Sequence, residues 1–116
     1  ELILLNQILP GKLHLLLLYK RETILGGSLI FSANSKCGIV FYNMIDYKYK
    51  HHQPATIQIY ECIKWAKSKK LEYLDLGVSQ KPNEKNPLTP HSSLISFKEQ
   101  FGATGLIRKG VQKLIK

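Results

Sequence analysis

Asp75 lies at the end of the short alternating segment EYLDL, two residues before Gly77, where a carboxylate can take a proton from an amine directly or through water. A carboxylate in that position can equally bond nearby backbone amides and serve only the fold. Lys98 falls between Phe97 and Phe101 on the border of an apolar face. Its ammonium either contacts an anionic group or reaches along the rings to solvent. Gln53-Pro54-Ala55-Thr56 opens a helix, and the first N–H groups of a helix, with the positive end of its dipole, suit a phosphate. Lys48, Lys50 and His51 precede that helix and add positive charge. Tyr42, Tyr47, Tyr49 and Tyr60 are candidate general acids, and nothing in the sequence selects one. Trp65, Tyr60, Phe97 and Phe101 read as core aromatics.

Other chemistries find little support. Cys37 and Cys62 are the only cysteines, with no CxxC and no paired His/Cys spacing, so a zinc site is not expected. Two free thiols fit a reducing compartment, which makes the cytoplasm the expected location. His51-His52 is an adjacent pair whose rings point in different directions on any regular element, and it reads as a solvent-facing loop. The longest aliphatic run, Leu15 to Leu18, is too short to cross a bilayer.

The elements that must position these groups follow from the pattern. The 116 residues are 44% hydrophobic and 22% charged, which suits one folded domain with one core. Pro10-Gly11 ends a short apolar opening. LHLLLLYK (13–20) is an apolar run of strand length that predicts a strand covered on both faces. ILGGSLIFSA (24–33) predicts a second strand, with Gly26-Gly27 marking a bulge or a close backbone approach. CGIVFYNM (37–44) predicts a third, and the short polar breaks make the three an antiparallel meander. The period then changes. Ala55, Ile59, Cys62, Ile63 and Ala66 form one helical stripe, with Gln58, Glu61, Lys64 and Ser68 opposite. Pro54 starts this helix and Ser68-Lys69-Lys70 closes it. Residues 72–76 read as a short strand and 78–90 as a long polar loop. Next comes a short helix capped by Ser92 or Ser93 and ended by Gly102, then a last strand over 106–109. The expectation is an α/β (α+β) domain with a mixed sheet, in the order β-β-β-α-β-α-β.

That order, with Leu74-Asp75-Leu76-Gly77, a variable loop and Ser96-Phe97-Lys98-Glu99-Gln100-Phe101-Gly102-Ala103, resembles the GNAT superfamily of acyl-CoA N-acyltransferases. Within it, the "D-x-G … F-K-x-x-F-G" pattern is similar to the C-terminal part of the Fem-like branch, which includes peptidoglycan bridge aminoacyltransferases. The helix from Pro54 to Lys69-Lys70-Leu71 is similar to that branch's "P … W-A … G" segment, with Lys70 where glycine is usual. The resemblance covers roughly residues 12–110. It implies N-acyl transfer from acetyl-CoA, another acyl-CoA or an aminoacyl-tRNA to a small-molecule or peptide amine, without a metal. It also implies a cleft where the third strand parts from the strand at 72–76. The donor would lie along Tyr42, Asn43 and Met44 and at His51, Gln53, Ala55 and Thr56, with Asp75 and Lys98 as the catalytic candidates. One departure stands out. The connection 45–53 lacks the glycines with which ordinary members of the superfamily hold a pyrophosphate.

The formal charge of +9, from 17 basic and 8 acidic side chains, suits a polyanionic partner. A basic nucleic-acid-binding domain is therefore the rival class, and a non-catalytic GNAT-like module a third. Arg108, Lys109, Lys113 and Lys116 crowd the C-terminus, and Lys64, Lys67, Lys69 and Lys70 crowd one helix end. Such ends are commonly solubilising. Glu1-Leu2-Ile3-Leu4-Leu5 reads as a chain entered inside a helix, so the expectation is a domain lacking its N-terminal portion. Its exposed apolar strand would then lead to self-association or be covered by a preceding domain.

Overall fold

The computed structural model describes residues 1–32, 34–86, 88–107 and 112–115. They divide into two compact units, Glu1–Val78 and Ser79–Lys116. In the first unit a short helix α1 (Leu2–Ile8) precedes strands β1 (Leu13–Lys20), β2 (Thr23–Ser32) and β3 (Cys37–Ile45). A 3-10 helix (Tyr47–His52), helix α2 (Pro54–Ser68) and strand β4 (Tyr73–Asp75) complete it. The sheet order is β1-β2-β3-β4, antiparallel except for the parallel pair β3/β4. A parallel return needs a crossover, and α2 is that crossover. The meander, the helix and the short strand stand where the sequence places them.

The core lies between α2 and one sheet face. Ile30, Val40, Ile59, Cys62 and Ala66 are buried there, Leu29 is buried on the opposite face, Leu25 is also buried, and α2 packs on all four strands. Ile63 of the expected stripe is half-buried. The greater departure is Gln58, placed on the outer side by its polarity but only 4% exposed. It lies one turn before Cys62, so helical spacing puts it on the inner face. Its Nε2 donates to the Met44 carbonyl at 3.0 Å.

Gly26 makes that approach possible. A Cβ there would meet Gln58 Nε2 and would stand 2.5 Å from the Met44 carbonyl oxygen. Both expectations for this glycine pair hold, because the β1/β2 register also shifts between Leu18 and Tyr19, beside it.

β1 is not covered on both faces. It is the sheet edge, and Leu15 (60%), Leu17 (45%) and Tyr19 (52%) are exposed. A continuous apolar run does not distinguish a central strand from an edge strand, because only the pairing partner decides it. On the face opposite α2, Leu5 and Leu9 of the α1 segment line an apolar cavity of ≈ 230 Å³ with Leu13, Leu29, Phe31, Ile39 and Phe41.

In the second unit, 79–91 folds back on itself through a Gln80↔Pro90 bridge and a His91 N–H bond to the Ser79 carbonyl. Helix α3 (Ser92–Glu99) comes next. Its cap is His91, whose Nδ1 accepts from Leu94 N–H, rather than Ser92 or Ser93. An imidazole nitrogen does the work of the expected hydroxyl, one residue earlier. Phe97 and Phe101 meet edge to face at 5.3 Å, and Gly102 (φ +79) ends the turn as expected. The last strand expected over 106–109 is not formed at Leu106 and Ile107, and its remainder lies outside the described residues.

Two substitutions test this packing. Gly26→Ala is expected to cost about 1–3 kcal/mol in denaturant unfolding, because backbone as well as a side chain opposes the added carbon. Lys70 occupies the left-handed region (φ 58) just past α2, with the Leu71 N–H returning to the Ala66 carbonyl. Lys70→Gly is expected to stabilise the fold by about 0.5–1 kcal/mol, and a loss of stability would contradict this account of the helix end.

Candidate functional site

The sheet opens between β3 and β4. The two strands pair only at Cys37↔Tyr73, Gly38↔Leu74 and Ile39↔Asp75. β4 ends there, whereas β3 runs on to Ile45. Among the described residues no strand lies along the flank of β3 that β4 leaves. Backbone N–H and C=O groups on such a flank face outward and remain available to a ligand.

β3 is also bulged at the parting point. Ile30 pairs with Val40 and Leu29 with Tyr42, so Phe41 is the extra residue. A bulge at this place bends the strand and re-aims the side chains beyond it. Gly77 (φ +78) stays near β3, with the position of a Cβ 3.5 Å from the Val40 carbonyl oxygen.

Asp75 is half-buried at the end of β4, and its Oδ1 accepts the Gly77 N–H at 2.7 Å. This is an Asx turn, in which a side-chain oxygen replaces a backbone acceptor. Tyr42, Asn43 and Met44 are exposed on the free stretch of β3, with Phe41 and Tyr42 in edge contact at 4.8 Å.

The start of α2 has the character the sequence gives it. Gln53 is left-handed (φ 51, ψ 46), no side chain caps the helix, and its first turn holds no acid. The Thr56 and Ile57 N–H groups share the Gln53 carbonyl. An uncapped first turn keeps its positive potential for an incoming anion. The connection before it, read from sequence as a polar loop, is the 3-10 helix Tyr47–His52, started by Asp46, which accepts the Lys48 N–H at 2.9 Å.

His51 and His52 face each other at 3.9 Å rather than pointing apart. In a 3-10 turn ending in a left-handed residue, adjacent rings can meet, here tilted by 48°, as they cannot in a strand. Lys20 Nζ donates to His52 Nε2 at 3.0 Å, which places the proton of the neutral ring on Nδ1. Loss of hydration, then His51 and Lys20, hold His52 below the ordinary histidine pKa. His52 therefore adds little to the positive charge that Lys20, Lys48 and Lys50 supply to this unit at neutral pH.

Asp75, Tyr42, Asn43, Met44, His51, Gln53, Ala55 and Thr56 all belong to the first unit. Lys98 belongs to the second, where its Nζ donates to Ser79 Oγ at 2.9 Å. Of the aromatics read as core, Trp65 is half-buried against His14 (centroids 4.7 Å apart), while Tyr60 is 57% exposed beside Lys64.

Two residues near the opening escaped the sequence reading. Ser28 is fully buried and donates to Asn43 Oδ1 at 2.8 Å, and Gln58 holds the Met44 carbonyl. Each carries a signal. Ser28 is a polar break inside an apolar strand, and Gln58 lies at buried helical spacing.

No group of three or more His, Cys, Asp or Glu side chains that could hold a metal occurs among the described residues. No helix among them is long and apolar enough to cross a membrane. Both cysteines are free thiols.

No curated protein matches the chain. Among solved structures it is similar to a chain named "Putative acetyl transferase from Pyrococcus furiosus", with 13% identity and a TM-score of 0.65 over 97% of this chain and 72% of that one. That likeness establishes the fold, a GNAT-like mixed sheet. The family described as "Acetyltransferase (GNAT) domain" matches residues 4–85, which takes in the whole meander, α2, β4 and the parting of β3 from β4. The chain therefore belongs to the GNAT acetyltransferase domain family.

Proposed function

We propose that the chain transfers an acetyl or other acyl group from an acyl-CoA to an amine. The observation that carries this reading is that β3 continues past the end of β4. The free flank of a bulged strand and the uncapped start of α2 thus belong to one compact unit. The donor thioester lies along Tyr42, Asn43 and Met44, where outward N–H groups of β3 polarise its carbonyl and stabilise the oxyanion. The donor phosphates lie at Gln53, Ala55 and Thr56, with His51 and the nearby lysines. Side chains and one helix end stand in for the missing glycine turn.

In the reaction the amine nitrogen attacks the thioester carbon, the C–S bond breaks and coenzyme A leaves as its thiolate. The surplus amine proton passes to Asp75 through water. Holding both reactants on one strand flank supplies much of the rate. Lys98, the other catalytic candidate, lies in the second unit, where its ammonium bonds Ser79 Oγ.

Two outcomes test the proposal. Acetyl-CoA at one hundred times its dissociation constant is expected to add about 2.7 kcal/mol to stability, read as a rise in Tm. A shift with a short RNA and none with acetyl-CoA would favour the nucleic-acid reading instead. Asp75→Asn keeps an Oδ1 for the Gly77 N–H, so the Asx turn survives. Turnover with an amine is expected to drop by roughly 10²–10⁴ with acetyl-CoA affinity and Tm unchanged. A fall in Tm at unchanged turnover would leave Asp75 a purely structural carboxylate.

A further inference from the structure

A polar chain inside the α2–sheet interface ends at the opening. Ser28 is fully buried, and its hydroxyl donates to Asn43 Oδ1 at 2.8 Å. Cys62 of α2 is also fully buried. Burial pushes the Cys62 thiol above its ordinary pKa, with the Ser28 hydroxyl opposing and Glu61 adding, so the sulfur remains S–H. The Ser28 hydroxyl hydrogen is thus committed to Asn43 Oδ1.

A carboxamide whose oxygen is taken from within turns its NH₂ the other way. Asn43 is exposed, and its Nδ2 has no partner among the described residues. It lies on the stretch of β3 beyond the last pair with β4. Packing alone does not call for this arrangement. An alanine at position 28 would fill much the same space without a buried hydroxyl that must be satisfied.

We propose that Asn43 Nδ2 donates a hydrogen bond to an acceptor oxygen of the acyl donor, and that buried Ser28 is the positioning residue that fixes the carboxamide in the required flip. This deepens the acyl-CoA reading and rests on it. Gln58 supports the same strand from the other side of Asn43, because its bond to the Met44 carbonyl holds the next residue of β3 against α2.

Nitrogen–proton correlation spectra of the whole chain titrated with acetyl-CoA test both levels. The Asn43 side-chain NH₂ pair, identified by its loss in Asn43→Asp, is expected to shift along with the backbone amides of Ala55 and Thr56. In Ser28→Ala the Ala55 and Thr56 amides still respond. The Asn43 pair responds less, and the dissociation constant rises about three- to tenfold. Asn43→Asp keeps an acceptor for Ser28 but offers the ligand no donor. It is expected to weaken uncharged S-acetylpantetheine about tenfold, which separates a lost hydrogen bond from repulsion of the phosphates. An unmoved Asn43 pair alongside shifting Ala55 and Thr56 amides would overturn this inference and spare the donor reading. Wild-type affinity for S-acetylpantetheine in Asn43→Asp would do the same. No response at any of these groups overturns the donor reading, and this inference with it.

Discussion

The distance between α2 and the sheet governs the rest of the first unit, and it is set where Gly26, Gln58 and Met44 meet. With no Cβ at Gly26 the helix settles close enough for the buried Gln58 carboxamide to reach the Met44 carbonyl. Met44 lies near the end of β3, on the stretch that has lost β4 as a neighbour. A strand end with one free flank would otherwise be loosely held. The amide from α2 ties it to the same helix whose first turn is left uncapped. A shorter or apolar side chain at 58 would leave a carbonyl without its partner and let the two walls of the opening drift apart.

The periodic elements were legible from sequence because period is a local property. Leu13 to Met44 reads as three strands, and the spacing of Ala55, Ile59, Cys62 and Ala66 reads as a helix; both stand. The parting of β3 from the strand holding Asp75 was legible through family resemblance. What was not legible depends on partners far apart in the chain. Leu15 and Leu17 look like the middle of a sheet until β1 is found at its edge. Gln58 was assigned outward because glutamine is usually exposed, although its helical position pointed inward. Polarity outweighed spacing only because the Met44 carbonyl, its partner, could not be seen. Ser28 is the same case, since its meaning lies in Asn43 on the next strand.

The connection before α2 shows how local chemistry shifts work from backbone to side chain. A glycine turn offers several N–H groups to an anion at once. The 3-10 helix Tyr47–His52 uses such groups internally: Tyr49 N–H bonds the Asp46 carbonyl, Gln53 N–H bonds that of Lys50, and the Asp46 carboxylate takes the Lys48 N–H. What remains for an anion is the uncapped start of α2 and the lysines around it. Lysine ammoniums are mobile and strongly hydrated, so an anion held this way is gripped less rigidly and is more exposed to salt.

β4 is only three residues long and joins β3 through three parallel pairs after a crossover of one helix. The β1–β2–β3 meander closes short loops and loses little chain entropy, whereas β4 must wait for α2 to lie down before it finds its place. The strand that carries Asp75 is therefore expected to dock late in folding and to be among the first to exchange its amide hydrogens in the native state. Breathing of β4 would widen or erase the gap beside β3 without melting the meander. The protein's capacity to form its opening is thus a separate, smaller stability set by one short strand rather than by the whole core.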